Sequence, residues 1–361
     1  MCFLFYFSTN KIGEKMFKKK YLPYAALFEI TLKCNMRCIH CGSSAGTQRL
    51  KELPTNEWAR VIKEFSELGC ESITLLGGEP FIRQDWFEIS KTVRDYNIDL
   101  TIISNGLLID EKTISHLRKL DPYAIAISLD GGSPETHDEI RQVRGSFEKA
   151  TKVISMLKDA NINTSAITTL SKTNFKDLPK IRSLLLNKNV AWQIQIACPV
   201  GRFPKELMLS KEEFYSASLF IANSMEKYSI EELPIAGAHS FGYYSSVLPN
   251  INITPVWRGC PAGMYLVGIQ SNGGVKGCLS LSDEFVEGNV MNKSLSEIWE
   301  SDSFASYNRK FKKDDLNGEC IGCKYGKKCK GGCMSVSTSV TGKKHSDPFC
   351  LRLIEKSGII D

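Results

Sequence analysis

At 361 residues, with 42% hydrophobic and 10% aromatic content, the chain is long enough for one large α/β barrel or two medium domains and apolar enough to bury a core. A formal charge of +6 invites a nucleic-acid partner, but the lysines lack the regular aromatic interleaving of a single-strand-binding surface, which argues against one. Thirteen cysteines without an export signal favour metal ligation over disulfides and a cytoplasmic location.

The chain starts MCFLFYFSTNKIGEKMFKKK, whose seven-residue apolar run is far shorter than the ~20 residues of a membrane span. It has neither the basic-before-apolar order nor the small-residue cleavage site of a signal peptide. Residues 1–24 read as a disordered extension, with Met1 or Met16 as the true start.

From residue 25, short β-branched stretches alternate with amphipathic helical ones. Strands are expected at 25–32, 71–77, 98–104, 123–130, 162–168 and 191–197. Between them the segments TNEWARVIKEFSELG, DWFEISKTVRDY, DEKTISHLRKL, FEKATKVISMLKDA and NFKDLPKIRSLLL read as helices, with Thr55 and Asp110 as N-caps. Six β-then-α units with right-handed crossovers imply parallel pairing but cannot close an eight-stranded barrel. The expected fold is therefore α/β: a partial, open (β/α)6 barrel over 25–235, with its chemistry at the C-terminal strand ends. Residues 236–361 are Gly- and Cys-rich and read as a linker followed by a part that relies on metal centres for its fold. The clearest helix there is in GNVMNKSLSEIWESDSF.

The segment LKCNMRCIHCGSSAG places Cys34, Cys38 and Cys41 directly after the first strand. Three thiolates on one loop can hold three irons of a four-iron cluster and leave the fourth open; His40, adjacent to Cys41, is poorly placed to complete a zinc site. This spacing at this place resembles the radical S-adenosylmethionine (SAM) superfamily. The resemblance implies that SAM chelates the open iron and that one electron cleaves it to a 5′-deoxyadenosyl radical, which abstracts a substrate hydrogen. LLGGEPF places Gly77, Gly78, Glu79 and Pro80 at the end of the second strand, where relatives contact the methionine amino group. Ser128 and Asp130 end the fourth strand, where relatives contact the ribose, and Arg141 occupies the place of an arginine that pairs with the methionine carboxylate. Ser104, Asn105 and Gly106 are expected to face the cavity, and Ile196 to place backbone against adenine.

Seven further cysteines read Cys260, Cys278, Cys320-x2-Cys323-x5-Cys329-x3-Cys333 and Cys350. Cys-x2-Cys pairs alone would suit zinc, but the whole series resembles the SPASM pattern. It implies a partial TIM-like barrel with a C-terminal Cys-rich SPASM iron–sulfur domain, and three [4Fe-4S] clusters in all. Carried over by position, Cys320, Cys323, Cys329 and Cys350 ligate an outer auxiliary cluster, and Cys260, Cys278 and Cys333 an inner one. Anaerobic sulfatase-maturating enzymes supply an eighth cysteine shortly after the first and an aspartate where this chain has Leu279, so formylglycine formation is disfavoured. The inner cluster is expected to have an open iron, or a ligand such as Asp283 or Glu284. The lysines of NRKFKKDD and KYGKKCKGG suit counter-ions of anionic clusters. Cys70 reads as structural, Cys198 as a buried thiol at the SAM side, and His239 and Tyr243 as lining a substrate cleft.

The leading expectation is an enzyme that modifies a peptide precursor, forming a thioether or other crosslink. The alternative is a maturase of a small cofactor or tetrapyrrole; a different class is a zinc- or nucleic-acid-binding scaffold without radical chemistry. The implied partners are a low-potential donor such as flavodoxin or ferredoxin and, since about 24 residues precede the first strand, a separate precursor-recognition protein. No membrane partner is expected.

Overall fold

The computed structural model describes residues 21–238, 240–254 and 256–358. The expected extension, apart from its last four residues, and His239 lie outside them.

Six strands fall where the β-branched stretches stand: β1 (Ala25–Thr31), β2 (Ser72–Gly77), β3 (Asp99–Ser104), β4 (Ala124–Ser128), β5 (Thr164–Leu170) and β6 (Ala191–Ile196). The helices between them are α1 (Thr55–Glu67), α2 (Trp86–Asp95), α3 (Glu111–Leu120), α4 (Pro134–Arg141), α5 (Ser146–Asp159) and α6 (Leu178–Leu185). After α7 (Lys211–Lys227) the sheet continues with β7 (Ile235–Gly237), β8 (Leu266–Ile269), β9 (Gly274–Lys276) and β10 (Gly288–Asn289). Its order is β10-β9-β8-β1-β2-β3-β4-β5-β6-β7. Pairing is parallel from β8 through β1 to β7, and antiparallel only for β9 and β10. All parallel C-terminal strand ends thus face one side.

Most β4 residues are buried, as expected of a parallel strand covered on both faces. The stripe Trp58, Val61, Ile62 and Phe65 seats α1 on β1, where Phe28 meets Trp58 at 5.0 Å and Phe65 at 5.3 Å. Truncating one of these aromatics to Ala would cost about 3–5 kcal/mol.

Asp110 caps α3, its side chain accepting from the Thr113 N–H at 2.8 Å. Thr55 does not cap α1. Extended Pro54 holds that place, and the Thr55 hydroxyl donates to Asp85 instead. In the C-terminal part, α8 (Leu295–Glu300) starts from a capping box between Ser294 and Glu297. Four short helices follow: α9 (Ser306–Arg309), α10 (Gly326–Cys329), α11 (Met334–Thr341) and α12 (Leu351–Lys356). Among the described residues no helix is long and apolar enough to cross a membrane.

Candidate active site

The loop after β1 carries Cys34, Cys38 and Cys41, and each sulfur accepts a hydrogen bond. The Met36 N–H reaches Cys34 Sγ at 3.4 Å, the Ala45 N–H reaches Cys41 Sγ at 3.3 Å, and Arg141 Nη1 reaches Cys38 Sγ at 3.7 Å. Burial pushes the Cys34 thiol up to about 11 against the Met36 N–H, with Glu79, Cys38 and Cys41 adding to the rise. Sulfurs that act on one another and are met by N–H donors suit thiolates holding a shared cluster.

The Gly77–Pro80 turn packs onto this loop. A Cβ on Gly77 would lie 2.2 Å from the Thr31 carbonyl oxygen, and one on Gly78 would lie 2.1 Å from that of Lys33, so main-chain contact with the cysteine loop itself requires both glycines. Glu79 is fully buried and accepts from the Ser104 hydroxyl at 2.8 Å, the Asn105 N–H at 2.8 Å and the Phe81 N–H at 3.3 Å. Burial pushes its carboxyl up to about 7 despite these donors. Asn105 Nδ2 donates to Asn35 Oδ1 at 2.8 Å, tying the end of β3 to the loop. Ser104 and Asn105, left without a role in the sequence, thus hold Glu79 and the cysteine loop in register.

Ser128 ends β4, and Asp130 lies fully buried two residues on. Its Oδ2 meets His40 Nε2 at 3.0 Å and pairs with Arg141, while Oδ1 accepts the Thr169 N–H at 2.8 Å. Burial alone would raise the Asp130 carboxyl, but Arg141 and His40 hold it well below the usual carboxylate range. Arg141 ends α4 and is itself buried. Its Nε has no partner, nor has His40 Nδ1. An unpartnered guanidinium N–H beside a three-thiol loop fits an anionic group there, whether cluster or carboxylate. His40 was recognised in the sequence only as a poor zinc ligand; its bond to Asp130 was not legible. Ile196 is buried at the end of β6.

The C-terminal cysteines form two sets. Cys320, Cys323, Cys329 and Cys350 line one cavity with Tyr243 and Asp347. Arg352 Nη1 lies 3.5 Å from Cys323 Sγ. Burial, with Asp347 and Cys320 adding, pushes the Cys350 thiol up to about 12. In the second set, Cys260, Cys278 and Cys333 act on one another's charge, and Cys260 and Cys278 pack with Phe285, Met334 and Tyr307. Buried Lys276 and half-buried Lys330 add positive charge beside them, which suits an anionic occupant. All twelve described cysteines are free thiols, and among the described residues no three His, Cys, Asp or Glu side chains are gathered as on one metal ion.

The other candidate residues stand in different settings. Asp283 is committed elsewhere: Oδ1 takes Gln270 Nε2 and Lys276 Nζ, and Oδ2 takes Arg49 Nη1. Glu284 accepts from the Ser282 hydroxyl at 2.7 Å. Cys198 faces Asp347 and Ser339 rather than the first cysteine loop, at a point where the chain turns, the Val200 N–H bonding the Cys198 carbonyl at 2.6 Å. Tyr243 donates to Asp347 and lines the cysteine cavity. Cys70 is structural, its thiol 3.3 Å from the Ser72 carbonyl.

Residues 28–185 match the model of the Radical SAM superfamily, and residues 260–324 that of the SPASM iron–sulfur cluster-binding domain. The chain belongs to the radical SAM superfamily. It is a radical SAM enzyme of the SPASM type, and its cofactors are SAM and iron–sulfur clusters. It is 28% identical over 343 residues to the AdoMet-dependent heme synthase of Methanosarcina barkeri, covering 91% of this chain and 96% of that protein. It is likewise 28% identical over 350 residues to the PqqA peptide cyclase of Rhizobium meliloti, covering 91% and 87%. Its fold is that of Streptococcus suis SuiB, solved with the precursor peptide SuiA, at a TM-score of 0.77 and 19% identity over 95% of this chain and 80% of that one.

Proposed function

We propose that this radical SAM enzyme modifies a peptide precursor by hydrogen abstraction, forming a thioether or another crosslink. The observation that carries the reading is the three-thiol inner set. Among the described cysteines the first loop takes three and the outer cavity four, and neither Cys70 nor Cys198 interacts with Cys260, Cys278 or Cys333, which leaves the inner set with three thiols. A three-thiolate cluster keeps one iron for an external ligand, and a substrate cysteine is the natural one. The PqqA peptide cyclase, similar along most of its length, acts on a peptide by name.

In this proposal Cys34, Cys38 and Cys41 hold the radical cluster, and two four-iron auxiliary clusters occupy the other sets, three clusters in all. With SAM bound, the radical cluster supplies a 5′-deoxyadenosyl radical. The chain's residues bind and shield. Gly77–Pro80, Ser128 and Asp130 border the SAM site, and Arg141 offers its free Nε–H to the carboxylate. Fully buried Glu79 and Asp130 brace the walls without admitting water. The division into a barrel over 25–235 and a cluster-binding part over 236–361 belongs to the same proposal, as do a cytoplasmic location, a flavodoxin or ferredoxin as electron donor, and a separate protein presenting the precursor.

A second reading is tetrapyrrole maturation, favoured by the match over 96% of the heme synthase of Methanosarcina barkeri. One assay separates them. Anaerobically reconstituted enzyme, SAM and dithionite are incubated with the peptide encoded by a short Cys-rich neighbouring reading frame, or with an iron tetrapyrrole. A peptide product lighter by two hydrogens supports the proposal. Turnover of the tetrapyrrole alone replaces it with the second reading.

A further inference from the structure

Tyr307 lies on α9, and its hydroxyl is buried without a hydrogen-bond partner. It stands between the two segments that carry Cys260 and Cys278. A Cβ built on Gly277 would lie 2.5 Å from Tyr307 Oη, 3.0 Å from the Gly263 nitrogen and 3.1 Å from the Ala262 carbonyl carbon. The backbone groups around it are already engaged. The Gly263 N–H donates to the Leu266 carbonyl at 2.8 Å, and the Ala262 and Cys260 carbonyls accept from Asn308 Nδ2 at 2.7 and 2.8 Å. The phenol is held from both sides: its ring meets Phe285 edge-on at 5.3 Å, and its own carbonyl is bonded to His345 Nε2 at 2.8 Å. A buried O–H left unpaired is costly, so a rigidly held one implies an acceptor. The acceptors whose charge acts on the phenol are the sulfurs of Cys260 and Cys278, which share its pocket, and the carboxylate of Glu287, whose Oε2 already takes the Ala305 N–H at 2.8 Å.

We propose that Tyr307 donates a hydrogen bond to a sulfur of the inner auxiliary cluster and thereby sets that cluster's reduction potential. The inference rests on the reading that Cys260, Cys278 and Cys333 hold a cluster. It leaves the fourth iron free, because the phenol acts on sulfur and remains protonated. A donor to sulfur offsets the extra negative charge of the reduced state, so it raises the potential. Tyr307 is a positioning residue, with no contact to the radical chemistry.

The test uses full-length protein in which Cys34, Cys38 and Cys41 are replaced by Ala, so that only auxiliary signals remain. Iron analysis first settles the underlying reading: without two auxiliary clusters in this background, the cluster assignment fails and not the role of Tyr307. Given both clusters, Tyr307→Phe is expected to keep the iron content. The reduced-to-oxidised ratio of one cluster at fixed potential should fall about tenfold, ~59 mV for one electron. An exchangeable-proton coupling seen in pulsed paramagnetic resonance, and lost in D2O, should vanish from that same cluster. Unchanged potential and coupling overturn the proposal. Loss of iron also overturns it, since the phenol would then be needed to bind the cluster rather than tune it.

Discussion

Arg49 and Asp283, 234 positions apart, are joined by a 3.2 Å hydrogen bond from Nη1 to Oδ2. On its other side Arg49 holds the buried Glu29 of β1, Nε to Oε1 at 2.6 Å. Glu29 also accepts from the Ser271 hydroxyl just beyond β8, while Glu52 gathers the Leu32 N–H and the same Ser271 hydroxyl. The base of the cysteine loop after β1 is thus fastened to the C-terminal part through charge as well as through the pairing of β1 with β8. Asp283 is largely exposed and adds little, but Glu29 is not. Arg49→Ala strands a buried carboxylate and should cost about 3 kcal/mol, read as a lower denaturant midpoint. Asp283→Asn leaves the Arg49–Glu29 bonds in place but takes the carboxylate from buried Lys276, so its cost in the same titration reports on Lys276 and not on Glu29.

Iron counting checks the division of the cysteines. Reconstituted protein should hold about twelve irons, and the Cys34, Cys38 and Cys41 triple Ala variant about eight, with no 5′-deoxyadenosine formed. Retained SAM cleavage in that variant would contradict the placement of the radical centre. Zinc in place of iron at the C-terminal sets would contradict the auxiliary clusters.

Local patterns made the first half of this arrangement legible. β-branched runs gave β1 to β6, and Asp110 announced α3 by capping chemistry. Cys34, Cys38 and Cys41 stand on the loop directly after β1, where the sequence put them. Thr55 misled because a proline one position earlier is equally suited to the extended cap conformation. Strands β7, β9 and β10, of two or three residues, are too short to show a period of two. The partners of Glu79, Asp130, Arg49 and Tyr307 come from distant elements, and no neighbour in sequence reports such a bond. The turn glycines were legible as a motif, but their reason lay in the packing of main chain on main chain.

That packing is directly testable. Gly78→Ala would place a methyl 2.1 Å from the Lys33 carbonyl oxygen, next to Cys34. Backbone cannot yield as a flexible side chain does, so the cost should reach or exceed about 1–3 kcal/mol. The expected readouts are a lowered melting temperature and partial loss of iron from the radical site, with the auxiliary signals intact. Wild-type values for both would show that the turn tolerates a Cβ.

Arg141 pairs with Asp130 and, in the proposal, also meets the SAM carboxylate; two substitutions separate these roles. Arg141→Ala leaves Asp130 buried with only His40 and the Thr169 N–H, so stability should fall by about 3–5 kcal/mol. SAM affinity should fall about ten- to a hundredfold, as for a lost charge-assisted hydrogen bond. Arg141→Lys retains a charge for Asp130 but lacks the Nε–H. It should recover much of the stability in denaturant titration and little of the affinity in equilibrium dialysis. Full affinity in both variants would confine Arg141 to supporting Asp130.

The inner cysteine set bears most directly on the substrate. Cys260, Cys278 and Cys333 supply three thiols, and the carboxylate of Asp283, once a candidate fourth ligand, is held by Arg49, Lys276 and Gln270. Cys198 is turned toward Asp347 and Ser339, and the charges that act on it include none from Cys260, Cys278 or Cys333. An iron left without a protein thiolate takes water or an incoming ligand, and cluster signals respond to ligand identity. A substrate peptide containing cysteine should therefore shift the paramagnetic resonance of one auxiliary cluster, in the triple Ala background where the radical cluster is silent. The same peptide with Cys→Ser should not. If neither peptide shifts it while both bind, the thiol does not reach iron. Thioether formation then loses its support, and carbon–carbon crosslinking or tetrapyrrole maturation moves ahead.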